Sequence, residues 1–82
     1  MQHVYVLKSQ KDDSFYVGKT SDLKRRHEEH VRGKVKSTKD RRPLKLLYVE
    51  TYSTTSLADD RERKLKHFGS AYKALMKRLG EK

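Results

Sequence analysis

With 82 residues the chain is short enough to bury only about 60–65% of its unfolded surface, and without cysteine it has neither a disulfide nor a thiolate zinc site to add stability. Twenty-one Lys and Arg against eleven Asp and Glu leave a net charge of +10, the balance of a surface that attracts polyanions, nucleic acid foremost. No apolar N-terminal segment reads as a signal peptide and no run reads as a membrane span, so a cytoplasmic location without a membrane partner is expected.

Residues 3–8, HVYVLK, set Val4 and Val6 on one side and Tyr5 and Leu7 on the other, so they predict a central strand covered on both faces. Turn formers follow, then Phe15, Tyr16 and Val17 predict a second strand paired as a hairpin and ended by Gly18. A helix is expected from Asp22 to Arg32, capped by Thr20, Ser21 or Asp22 and closed at Gly33. Leu23 and Val31 mark its inward face, with Arg26, His27 and His30 between them at helical spacing.

Residues 34–43, KVKSTKDRRP, form a cationic loop carrying Lys34, Lys36, Lys39, Arg41 and Arg42. Leu44 to Tyr52 predicts a third strand. Ser56 is the expected cap of a helix running to Phe68, with Ala58, Leu65 and Phe68 inward, Leu57 and Arg61 at the margin, and Glu62 on the inward stripe. Gly69 breaks it, and Ala71, Tyr72, Leu75, Met76 and Leu79 line a last amphipathic helix. The fold class is α+β: one domain over residues 1–82, a small three-stranded antiparallel-type sheet flanked by helices in the order β-β-α-β-α-α.

Arg26, His30 and Glu62 thus fall on faces that should be buried, and buried charge needs a partner or a ligand. The structural alternative is an internal Arg26–Glu62 ion pair with His30 as a satisfied core histidine. The run His27-Glu28-Glu29-His30 is no zinc helix, since its histidines are three apart rather than four and no third ligand is evident. Gly18 stands alone, so no glycine-rich phosphate loop exists either.

In order along the chain, His3-Val4-Tyr5, Tyr16-Val17-Gly18, Lys19, Asp22-Leu23, Arg26, His30, Ser37-Thr38-Lys39, Arg42-Pro43, Leu47-Tyr48-x-Glu50, Ala58-x-x-x-Glu62 and Lys66 form a series. This series resembles the GIY-YIG endonucleases, most of all their small stand-alone members, over about residues 3 to 75. The resemblance implies phosphodiester hydrolysis in DNA, or in RNA, with a divalent metal, Mg²⁺ or Mn²⁺, held by the single carboxylate Glu62. It further implies Arg26 as transition-state stabiliser, Tyr5 or Tyr16 as general base, Lys19 or Arg26 as a cation favouring the phenolate, and His30 relaying a proton or binding phosphate. Nucleic acid would be gripped through its phosphates by Lys34, Lys36, Lys39, Arg41 and Arg42. Many members carry an asparagine after the carboxylate helix; GSAYKALMKR has none, and Lys73 is the nearest cation able to replace it. The other readings are a catalytically inactive nucleic-acid-binding module on the same fold, or a basic protein-interaction domain. A protein partner or a dimer is compatible with so small a core, but no residue pattern specifies one.

Overall fold

The structure, a computed structural model, describes residues 1–81. Its elements run β1 (Gln2–Ser9), β2 (Phe15–Thr20), α1 (Leu23–Val31), a 3-10 turn (Lys39–Arg41), β3 (Leu44–Tyr52), α2 (Thr55–Lys66) and α3 (Ser70–Arg78). The sheet is antiparallel throughout, with strand order β2-β1-β3. The central place of β1 explains its composition: Val4, Tyr5, Val6 and Leu7 are all buried.

One face of the sheet presents Val4, Val6 and Val17 to Ala58 and Leu65 of α2 and to Leu75 and Met76 of α3. A bulge opposite Val6 and Leu7 inserts Leu47 into β3, and both Leu47 and Tyr48 reach this same core. The opposite face carries Tyr5 and Leu7. Here α1 and the basic segment bring in three further buried side chains, His30, Val35 and Thr38.

Several expectations change. Gly18 does not end β2; it pairs with Tyr5, and the strand continues through Lys19 and Thr20 opposite Val4 and His3. The cap of α1 is Asp22, whose carboxylate accepts from the Arg25 amide at 3.1 Å, and Gly33 beyond its end takes φ +76°. Val31 is not inward but 53% exposed, because the α1 face that meets the sheet centres on His30. Thr54, not Ser56, caps α2, since its extended backbone lets its hydroxyl accept from Leu57 N. That helix stops at Lys66, two residues short of Phe68, and Phe68 swings out of the core.

Candidate active site

Tyr5 is where the site begins. It leaves the middle of β1 and lies over Gly18, so its hydroxyl arrives beneath α1. There the Tyr5 oxygen is 2.8 Å from His30 Nε2, and His30 Nδ1 is 2.7 Å from the Thr38 hydroxyl. All three side chains are fully buried, and every buried polar side-chain atom among the described residues has a partner. Tyr16, half-buried on β2, completes the cluster, with its ring 5.2 Å from that of His30 and 6.4 Å from that of Tyr5.

Burial sets the charge states here. It pushes the Tyr5 phenol up to about 12, although the neighbouring Arg26 guanidinium works to lower it. It also pushes His30 down to about 4, helped by the positive charges of Arg26 and His27. At neutral pH the pair is therefore an uncharged phenol against an uncharged imidazole. A cation beside the Tyr5 oxygen favours the arrangement in which the phenol donates to Nε2 and Nδ1–H donates to Thr38.

Arg26 is half-exposed and donates to Glu29 at 3.1 Å, while Glu62 meets Lys66 at 3.3 Å. The internal Arg26–Glu62 pair is thus not formed: each takes a partner on its own helix, and both still act electrostatically on Tyr5. Lys19 is bound to Asp59 on α2, which raises its affinity for its proton. Among the described residues no three His, Asp or Glu side chains form a metal-binding group. Glu62 is the carboxylate nearest in influence to Tyr5, with 21% of its side chain exposed, beside a groove of ≈ 290 Å³ shared with Arg63, Lys66 and His67.

The basic segment divides in two. Lys34, Lys36 and Lys39 stand exposed, as expected of phosphate contacts. Arg41 is folded back toward Ser14 and the Phe15 carbonyl at 3.5 and 3.4 Å, and Ser9 holds the Arg41 carbonyl at 2.7 Å. Arg42 donates to the Lys39 carbonyl at 2.9 Å and covers Gly33. These two arginines anchor the segment to the hairpin and to α1. Lys73 is exposed on α3, away from the Tyr5–His30 cluster. Thr38 enters the sequence reading only within the run Ser37-Thr38-Lys39, which gives it no role. It occupies the cap position of the 3-10 turn yet makes no cap bond, spending its hydroxyl on His30 instead.

A model of the GIY-YIG catalytic domain matches residues 1–79. The chain is 41% identical over 75 residues to UPF0213 protein SH2523 of Staphylococcus haemolyticus, covering 90% of each. It is 38% identical over 74 residues to UPF0213 protein VNG_2274C of Halobacterium salinarum, covering 89% of this chain and 95% of that protein. The solution NMR structure of UPF0213 protein BH0048 from Bacillus halodurans resembles it with a TM-score of 0.59 at 32% identity, over 96% of this chain and 85% of that one.

Proposed function

The chain belongs to the GIY-YIG catalytic domain family, and from that premise we propose that it is a metal-dependent endonuclease hydrolysing phosphodiester bonds in nucleic acid. The observation that carries this reading is the buried Tyr5–His30–Thr38 chain of hydrogen bonds with Arg26 and Tyr16 beside it. A structural core has no need to bury three polar side chains in series next to a guanidinium.

In this reading the Tyr5 oxygen receives a proton from the attacking water while its own proton passes to His30 Nε2. Thr38 fixes the imidazole tautomer that can accept it. A phosphodiester arriving opposite Arg26 offsets the positive charge that holds His30 low, so substrate itself raises the basicity of the relay. Arg26 exchanges Glu29 for phosphate oxygens, to which its planar fork is suited, and stabilises charge as it grows. Tyr16, on the more open side, contacts the substrate, and Lys19 reaches a phosphate only by giving up Asp59. Glu62 fits a hard divalent ion, Mg²⁺ or Mn²⁺: it is one partly exposed carboxylate whose intrahelical Lys66 contact is weak enough to yield. Glu62 would hold such an ion, which when bound would supply charge neutralisation for the phosphate and the departing oxygen.

The test is cleavage of labelled DNA and RNA with Mg²⁺ or Mn²⁺ against chelator, for the wild type, Glu62→Ala, Tyr5→Phe and Tyr16→Phe. The reading expects loss of cleavage in chelator and in the first two variants, and partial retention in Tyr16→Phe. Equal activity of wild type and Glu62→Ala overturns it. Salt-dependent binding without cleavage under either metal replaces it by the inactive binding module.

A further inference from the structure

The groove beside Glu62 is lined by Arg63, Lys66 and His67 of α2 and its C-cap, and Phe68 is the next residue along the chain. Phe68 is the first residue past the α2 C-cap, a position usually given to glycine because the chain turns there through the left-handed region. Here φ is +55° on a phenylalanine, and Gly69 comes one residue too late. The strained residue is also exposed, at 52%, so burial does not offset the strain. Its ring meets that of Tyr72 in a T-shaped contact at 4.7 Å, and Tyr72 meets Phe15 at 6.2 Å, so the ring is buttressed from the fold.

The surroundings select the partner. From residue 63 to residue 80 the chain has six Lys and Arg and no carboxylate. Lys73 and Lys77 make no ion pair with the described residues and border, with Tyr72, Met76 and Gly80, a groove of ≈ 480 Å³ whose one carboxylate, Glu81, is held by Lys8. A buttressed aromatic face beside unpaired lysines suits a polyanion that exposes flat rings, which a duplex does not.

We infer that Phe68 is a stacking platform for an unpaired base, and that the substrate of the neighbouring centre carries a single-stranded segment running from Glu62 toward α3. This rests on the nuclease reading for its direction but not for its binding. The backbone phosphates follow Lys66, Lys73 and Lys77 while a base lies on the Phe68 ring.

The experiment is fluorescence anisotropy in chelator, which stops cleavage, with short oligo-dT, oligo-rU and blunt duplex DNA at one fixed salt. Phe68→Ala should weaken the tighter of the two single strands roughly 5- to 100-fold and leave the duplex nearly unchanged. Phe68→Trp should keep single-strand affinity, and its fluorescence, the only indole signal in this tryptophan-free chain, should be quenched by the same oligonucleotide. Unchanged single-strand binding by Phe68→Ala overturns the inference, as does an equal loss on duplex. Cleavage by the wild type that is indifferent to Phe68 on every strand type removes this inference and leaves the nuclease reading. Phe68-dependent binding by a chain that never cleaves does the reverse.

Discussion

The Tyr5 ring lies across its strand partner Gly18 so closely that a Cβ at residue 18 would sit 2.3 Å from the Tyr5 oxygen and 2.4 Å from Cζ. Glycine is thus the condition for the tyrosine to cross β2 and reach His30. Tyr5 is only 1% exposed and its hydroxyl is bonded, so it cannot swing aside at low cost. Gly18→Ala should destabilise the fold by about 1–3 kcal/mol, as overpacking does, lowering Tm by roughly 4–8 °C per kcal/mol. Cleavage measured well below the melt should fall further than the unfolded fraction accounts for. Melting curves and rates matching the wild type would mean the ring is not confined there.

Proton uptake by His30 gives the fold an acid weakness. Its folded value of about 4 lies below the ordinary 6.5, so the unfolded chain binds the extra proton between those values. Stability therefore falls as pH drops through that window, by on the order of 3 kcal/mol when complete. The carboxylates that the fold stabilises titrate lower, so the upper part of the window belongs to His30. Urea unfolding at several pH values should show the slope in the wild type and a much flatter line in His30→Gln. Parallel lines for the two proteins would refute the assignment.

Thr38 should behave as a positioning residue rather than a catalytic one. Thr38→Val keeps the shape but leaves His30 Nδ1 buried without a partner, at a cost of about 1–3 kcal/mol. Loss of that bond also frees the imidazole to take the other tautomer, in which Nε2 no longer accepts from Tyr5. The expected signature is a lower kcat with a displaced pH–rate profile and little change in KM, restored by Thr38→Ser. A Thr38→Val enzyme with the wild-type profile would reduce Thr38 to packing.

These consequences were unevenly legible beforehand. A strand apolar on both sides can only be central, so β1 and its buried Tyr5 followed from Val4, Val6 and Leu7. His30 was legible too, as a polar residue on an apolar spacing. The reading of Arg26 against Glu62 failed because Glu29 and Lys66, one turn away on the same helices, are reachable without any tertiary placement. Phe68 fits the α2 stripe by period alone; its outward turn depends on the helix ending two residues earlier, which no local residue enforces. The role of Thr38, though not its place in the family-like run, was hidden for another reason. A hydroxyl in a basic loop reads as solvated until its partner, eight residues back on α1, is folded over it.

Glu50 offers the last prediction, because its place in the family-like run Leu47-Tyr48-x-Glu50 is structural. Its side chain is 13% exposed, accepts from Arg61 Nε and Nη2 at 2.9 and 2.8 Å and from the Tyr48 hydroxyl at 2.7 Å, and is also bound by the Tyr52 hydroxyl. Arg78 of α3 donates in turn to the Tyr48 oxygen at 3.0 Å, so one carboxylate ties β3 to both C-terminal helices. Burial works to raise its carboxyl, but Arg61 and the two hydroxyls outweigh burial and hold it below the ordinary 4.5. Stability from this knot is present above 4.5 and is lost as pH falls toward the lowered value, below the upper part of the window assigned to His30. Glu50→Ala strands Arg61 and both tyrosines and should cost about 3 kcal/mol. Exposed pairs such as Arg63–Asp60 weaken with salt, whereas this loss should persist when chemical unfolding is repeated at high ionic strength. A loss that salt abolishes would place Glu50 among the surface pairs and leave the attachment of α2 and α3 to the apolar core alone.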